Sequence, residues 1–216
     1  MYSALIMAAG QGLRSGLTFN KNLFPIKGKP MILYSVEQFL SDPDCQEVIV
    51  VTAKQDIDTF KLVLPAQTII VSGGKSRQES VLSGLKIVKT EYVFIHDGAR
   101  PNLKKAAIEK LKQALLLHEA LSMATPVKDT LKICTNQEIT KDIDRENTFC
   151  LQTPQVFPTK AILEAHILAK TNKHQYSDDT SIYLHELGKK VFIVDGYDDN
   201  IKATTLTDMK ILEALI

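Results

Sequence analysis

Ala8-Ala9-Gly10-Gln11-Gly12-Leu13-Arg14-Ser15-Gly16 is a run of small residues that carries one cation. Small side chains let main-chain N–H groups approach a phosphate or a base, and Gly10 and Gly12 can take turn conformations that other residues resist. On its own, an ordinary strand-to-loop turn explains the run equally well. The cations Arg14 and Lys21 behind it tip the balance, because two positive charges after a glycine turn suit a triphosphate. The run is neither a Walker A sequence, which needs Gly-Lys-Ser/Thr, nor a clean G-x-G-x-x-G. A second turn, Ser72-Gly73-Gly74-Lys75-Ser76-Arg77-Gln78-Glu79-Ser80, offers N–H groups at a helix N-terminus, where the dipole favours anions or the carbonyl oxygens of a base. Ser76 and Glu79 also fit a capping box, so this helix start needs no ligand to explain it. The third stretch runs from Tyr92 to His96 as an apolar strand and then into Asp97-Gly98-Ala99-Arg100-Pro101. An acid at the carboxyl end of a central strand is placed to hold Mg²⁺ on a nucleotide, with small neighbours leaving room for a ribose. Arg100 can grip a phosphate in a two-pronged way. His96, by contrast, reads as a packed strand-end residue rather than an acid or base.

The elements that must position these residues alternate. Short apolar runs predict strands over Ser3–Ala8, Glu47–Thr52, Thr68–Val71, Tyr92–His96 and Leu121–Thr125, with Lys190–Val194 closing the sheet. Apolar residues at three- and four-residue intervals predict helices over Met31–Leu40, Asp56–Val63, Ser76–Val88 and Lys104–Leu117. Further helices are expected over Lys160–Ala169 and Asp178–Leu187, and a last one starts at Thr207 as its cap. This βαβα order is that of an α/β fold with a mostly parallel sheet flanked by helices, whose strands end on one rim where ligands gather. From Pro126 to about Glu146 the rhythm changes: Val127–Ile133 and Glu138–Ile143 alternate around a polar Thr135-Asn136-Gln137. That is a β-hairpin arm, too polar for a core of its own, and a lone hairpin is marginal in water. It is expected to pack on something else, such as a second subunit.

Composition narrows the partner. With 216 residues, 44% of them apolar, the chain can bury one continuous core as a single domain spanning 1–216. Lys plus Arg is 26 against 25 Asp plus Glu, so no global field favours nucleic acid or an anionic membrane, and an anionic ligand must be held by local charge. Cys45, Cys134 and Cys150 form neither a C-x-x-C pair nor a zinc pattern and read as reduced thiols. No signal-like N-terminus and no run near the roughly 20 apolar residues of a membrane span is visible, so a soluble cytoplasmic protein is expected.

The ordered set of motifs resembles 2-C-methyl-D-erythritol 4-phosphate cytidylyltransferases over essentially the whole chain: the glycine loop with its Arg and Lys, the double-glycine turn followed by Arg and Ser, His-Asp-x-Ala-Arg-Pro, Pro-Val-Lys-Asp-Thr, Asp-Arg, Gln-Thr-Pro-Gln and Asn-Ile-Lys. The resemblance implies a Rossmann-like nucleotidyltransferase fold and a reaction of isoprenoid precursor synthesis, in which CTP and a polyol phosphate give a diphosphocytidyl product and pyrophosphate. It implies that Ala8, Ala9, Gly10, Gly74, Ser80 and Gly98 line the cytidine nucleotide, with Arg14, Lys21 and Lys202 around its phosphates and Asp97 by Mg²⁺. Arg100, Thr130, Arg145 and Thr153 match the positions that hold the methylerythritol phosphate, Thr130 and Arg145 coming from the arm of the partner in a homodimer. Gly98, Lys75, Asn22 and Ser15 depart from the residues usual in the family. No departure removes a charge the chemistry needs.

Both reactants are polyanions, so the expected work is to hold them together and neutralise charge spreading over the transition state, with no covalent intermediate. Three rivals stand beside this reading. A ribitol 5-phosphate cytidylyltransferase shares the nucleotide loops, although Pro126-Val127-Lys128-Asp129-Thr130 and Ala99 fit the methylerythritol enzymes better. A nicotinamide-dependent dehydrogenase would need an acid directly after the second strand, where Thr52-Ala53-Lys54 offers none. A nucleotide sensor without activity sits poorly with the retained charged residues.

Overall fold

Side-chain alternation along the first strand, Tyr2–Ala8, sets up two helical layers. Ala4, Ile6 and Ala8 pack on one face with Ile32, Val36, Phe39, Phe60 and Leu111, while Leu5 packs on the other with Val81, Leu85, Ile162 and Tyr183. The computed structural model describes residues 1–10 and 16–216. In chain order the strands are β1 (Tyr2–Ala8), β2 (Pro25–Ile26), β3 (Lys29–Pro30), β4 (Cys45–Thr52), β5 (Ile69–Ser72), β6 (Tyr92–Asp97), β7 (Leu121–Pro126), β8 (Lys132–Thr135), β9 (Glu138–Asp142), β10 (Phe149–Pro158) and β11 (Phe192–Asp195). The helices are α1 (Met31–Leu40), α2 (Ile57–Val63), α3 (Arg77–Leu85), α4 (Lys105–Ala114), α5 (Thr159–Thr171), α6 (Asp179–Leu187) and α7 (Leu206–Leu215).

Seven strands form one sheet in the order β11-β7-β10-β6-β1-β4-β5. All of its pairings are parallel except those of β10, which runs antiparallel to both β6 and β7. The chain moves outward from β1 to β4 and β5, then returns to place β6 on the other side of β1. The order of strands therefore reverses beside β1, the place where open α/β sheets bind ligands.

The predicted strands and helices are present, several with shifted ends, and β10 was not foreseen. Pro154 and Pro158 disguise it, since proline lacks the N–H a central strand needs. The ladder to β7 is interrupted between Leu151 and Gln155, and pairing with β6 covers only Gln155–Pro158. The prolines thus fall at the interruption and at the strand's end. The last helix is capped by Thr205, not Thr207: the Thr205 hydroxyl accepts from the Asp208 N–H, and the Asp208 carboxylate accepts from the Thr205 N–H, a reciprocal pair that Thr207 has no acid to complete. The arm is a separate two-stranded sheet of β8 and β9, shorter than the alternation predicted, turning at Asn136 and Gln137, which both have positive φ (50° and 69°). Every residue of β8 and β9 is exposed. No helix among the described residues is long and apolar enough to cross a membrane, and the cysteines are unpaired.

Candidate active site

At the carboxyl ends of β1, β4, β5 and β6 the structure opens a cleft of about 840 Å³. Ala9, Gly10, Lys21, Gly74, Ser80, Asp97 and Lys202, all anticipated from the sequence, lie on its wall. Ala8 and Gly98 do not. Ala8 is fully buried and its carbonyl accepts from the Asn20 side chain at 2.8 Å. Gly98 donates its N–H to the Met7 carbonyl at 3.0 Å, and a Cβ built on it would stand 3.0 Å from the Asn22 Oδ1. Two of the departures from the family pattern, Asn22 and Gly98, are therefore neighbours, Asn22 on the cleft wall and Gly98 behind it. Arg14 lies outside the described residues, as do Gln11, Gly12, Leu13 and Ser15.

The double-glycine turn is glycine for reasons of space. A Cβ on Gly73 would meet the Ser80 Oγ at 2.7 Å and the Ala9 Cβ at 2.9 Å, and one on Gly74 would meet the Glu79 Cβ at 2.4 Å. Its N–H groups are not free for an anion, contrary to the expectation above. Gly73 donates to the Thr52 carbonyl (2.7 Å), Gly74 to the Ser80 Oγ (3.1 Å) and Lys75 to a Glu79 carboxylate oxygen (2.8 Å). Side chains from the first turn of α3 fold back and take the donors that the sequence alone leaves open. The Ser76 hydroxyl caps the helix by accepting from the Glu79 N–H at 3.1 Å.

Asp97 ends β6 and is the charged centre of the cleft. Lys202 Nζ sits 2.6 Å from one carboxylate oxygen, and the Nε atoms of Arg77 and Arg100 stand at 3.8 and 3.9 Å. Burial alone would raise the Asp97 pKa, but Lys202, then Arg77 and Arg100, hold it below the ordinary carboxylate range. Lys21 Nζ donates to the Ala203 carbonyl at 2.7 Å, which brings the two lysines onto the same wall from distant parts of the chain. Among the described residues no group of three or more His, Cys, Asp or Glu could hold a metal unaided. One carboxylate on a nucleotide cleft still fits Mg²⁺, which commonly takes one or two carboxylates and completes its shell with water and substrate phosphates.

Behind Asp97 lies a closed polar network. The Asp97 N–H donates to the Thr153 Oγ1 at 3.0 Å, so the Thr153 hydroxyl proton is directed at His96 Nδ1, 3.1 Å away. The Arg100 carbonyl can only accept, which puts the ring proton of neutral His96 on Nε2, 3.1 Å from it. Burial pushes the His96 pKa down to about 4. The imidazole is a satisfied packing residue, as its strand-end position indicates. Arg100 and Thr153, anticipated as phosphate contacts, are not on the described cleft wall: Arg100 Nη1 donates to the Asn200 carbonyl at 2.6 Å, and Thr153 is buried. Thr130 and Arg145 are exposed on the arm, where Arg145 Nη1 donates to the Lys128 carbonyl at 3.2 Å. Neither reaches the cleft of its own chain.

Two residues that matter were passed over in the sequence. Arg77 lies on the wall and Asp179 lies behind it, 2.7 Å from its Nη2. Arg77 stands inside a motif singled out for its glycines, and a cation at the start of a helix that opens a ligand cleft was the available signal. Asp179 carried no signal beyond following the capping residue Asp178.

The family model of 2-C-methyl-D-erythritol 4-phosphate cytidylyltransferase matches residues 2–216. A protein of that description from Clostridium acetobutylicum is 38% identical over all of this chain and 97% of its own length, and one from Shouchella clausii is 35% identical over 100% and 96%. Among solved structures, a 4-diphosphocytidyl-2C-methyl-D-erythritol synthase from Anaerococcus prevotii superposes with a TM-score of 0.88 at 27% identity, covering 100% of this chain and 95% of that one. A 2-C-methyl-D-erythritol 4-phosphate cytidylyltransferase from Thermus thermophilus gives 0.82 at 26% identity over 100% and 98%.

Proposed function

The chain belongs to the 2-C-methyl-D-erythritol 4-phosphate cytidylyltransferase family, and we infer that it joins the cytidylyl group of CTP to the phosphate of 2-C-methyl-D-erythritol 4-phosphate, giving 4-diphosphocytidyl-2-C-methyl-D-erythritol and pyrophosphate. The observation that carries this reading is the Asp97–Lys202 pair at the end of β6, with Lys21 on the same wall of a nucleotide-sized cleft. A substrate phosphate oxygen attacks the α-phosphorus of CTP in line with the departing pyrophosphate. That oxygen is already ionised at neutral pH, so no strong general base is required, and His96 takes no part. Lys21 and Lys202, with Arg14, counter the charge that spreads over the phosphoryl oxygens, an effect that is strongest in the transition state.

Ala9, Gly10, Gly74 and Ser80 surround the nucleoside, with Ala8 and Gly98 forming the floor beneath it. With its N–H groups committed, the double-glycine turn offers a base main-chain carbonyl oxygens, which suit the exocyclic amine of cytosine. Asp97 would hold Mg²⁺, which when bound neutralises the triphosphate and so lowers its repulsion of the incoming phosphate. Arg100 and Thr153 border the substrate phosphate from behind Asp97. The functional unit in this reading is a homodimer: each chain is one nucleotidyltransferase domain, and its arm carries Thr130 and Arg145 to the partner's cleft. The exposed β8–β9 hairpin with Ile133 and Ile139 on its surface supports that role. Free Cys45, Cys134 and Cys150 suit the reducing cytoplasm as its compartment. Pyrophosphate release, measured with CTP against a panel of polyol phosphates, tests the assignment. Turnover with 2-C-methyl-D-erythritol 4-phosphate is expected, and turnover with ribitol 5-phosphate in its place would overturn it.

A further inference from the structure

A chain of polar and charged groups runs from buried His166, in the middle of α5, to the cleft. His166 and Asp179 are both fully buried, and His166 Nε2 lies 3.1 Å from Asp179 Oδ1. The other Asp179 oxygen accepts from Arg77 Nη2 at 2.7 Å, and the Nε of the same guanidinium faces Asp97 Oδ1 at 3.8 Å. Lys202 closes the series on Asp97 Oδ2 at 2.6 Å. We infer that Arg77, braced by Asp179 and His166, is a positioning residue that fixes Asp97 relative to the double-glycine turn. The inference rests on reading Asp97 as the carboxylate facing the reacting phosphates.

The geometry gives Arg77 two tasks at once. Its backbone is the first residue of α3, directly after the capping Ser76, so it moves with the Gly73–Gly74 turn. Its planar side chain spans two carboxylates on different elements, which a flexible ammonium group cannot do with the same rigidity. The nucleoside side of the cleft and the phosphate side are thereby held in one frame. Lys202 alone could not do this, since it reaches Asp97 from an irregular segment after β11 that does not carry the double-glycine turn. The fold also keeps a fully buried carboxylate at Asp179, and burying a charge is costly enough that a well-packed apolar pair usually serves stability at least as well. A role in placing Asp97 accounts for its presence.

The test compares Arg77→Met, the double variant Arg77→Met/Asp179→Asn and Asp97→Asn with the unaltered protein. The double variant removes both buried charges together, which avoids stranding the Asp179 carboxylate. On the inference, kcat falls about 10-fold or more in both Arg77 variants while KM for CTP changes much less, as is common when the support of a functional group is lost. Arg77→Lys, which keeps the charge but not the planar fork, recovers the unfolding midpoint without recovering kcat; a merely structural role would restore both together. A folded double variant with unchanged kcat overturns the inference, provided Asp97→Asn is inactive. An active Asp97→Asn would instead overturn the reading of Asp97 itself. One measurement needs no variant: the Arg77 Nη2 protons, donated to Asp179 and followed by NMR, should be protected from solvent exchange with and without CTP, and rapid exchange in both states would refute the brace.

Discussion

Lowering the pH should destabilise the folded chain through His96, by an amount the structure allows to be worked out. The imidazole is completely buried and neutral, with Nε2–H donating to the Arg100 carbonyl and Nδ1 accepting from Thr153. Its pKa falls from 6.5 to about 4 because burial penalises the cation. In the unfolded chain the ring protonates as the pH drops through 6.5, while the folded protein resists until about 4. The unfolded state therefore binds more protons between these values, and the stabilisation present above 6.5 drains away as the pH falls toward 4. At about 1.4 kcal/mol for each pH unit, the loss between about pH 7.5 and about pH 4 is on the order of 3 kcal/mol. Urea unfolding at those two pH values should show it as the difference between the unaltered protein and His96→Gln, since carboxylates titrating in the same range contribute to both. Equal losses in the two proteins would mean that folded His96 takes up a second proton as readily as the unfolded ring, and the neutral state assigned from Thr153 and Arg100 would be wrong.

Lys21→Ala and Lys202→Ala should each cost roughly 2–4 kcal/mol of transition-state stabilisation, seen in kcat with little change in CTP affinity; near-normal turnover would remove that lysine from the mechanism. Excess chelator should abolish pyrophosphate release and added Mg²⁺ restore it, and full activity in chelator would dismiss a metal at Asp97. Gly73→Ala should lower stability by about 1–3 kcal/mol in thermal or urea unfolding, because its Cβ lands 2.7 Å from the Ser80 Oγ and 2.9 Å from the Ala9 Cβ. Mixing inactive Arg145→Ala and Arg14→Ala proteins should restore activity once subunits exchange, since one cleft of the mixed dimer is then intact. Exchange shown by tag pull-down without recovered activity would confine the arm to its own subunit.

Legibility in the sequence followed the physics of each element. Helix α1 was readable residue for residue because Ile32, Val36 and Phe39 recur on one face. The six forward strands were readable because parallel strands are apolar runs with turn residues at their ends. Strand β10 was not, since its two prolines and its polar Gln152, Thr153 and Gln155 imitate a loop. Only the interrupted ladder shows how a central strand tolerates them. Alternation overstated the arm: Val127 to Leu131 is an irregular connection buried only at Val127, and pairing begins at Lys132.

At the site, the rule that acids at strand ends face ligands found Asp97, and the bland reading of His96 held. What sequence could not supply was partnership. Arg77 and Asp179 meet across 102 positions, and Lys202 reaches Asp97 from more than a hundred residues away. The same limit explains the misjudged N–H groups of the double-glycine turn, whose acceptors Ser80 and Glu79 sit one helical turn further on. On the proposed function, these partnerships explain how the cleft receives two polyanions without its cations repelling one another when it is empty. A bare cluster of lysine and arginine would repel itself, and a fully neutralised one would offer no attraction. Asp97 lies between these limits: it holds Lys202 and Arg100 in place with one negative charge, while the charge of Arg77 is answered separately by buried Asp179. On the proposed function, the remaining positive excess attracts phosphate oxygens to this wall, which Lys21 also lines.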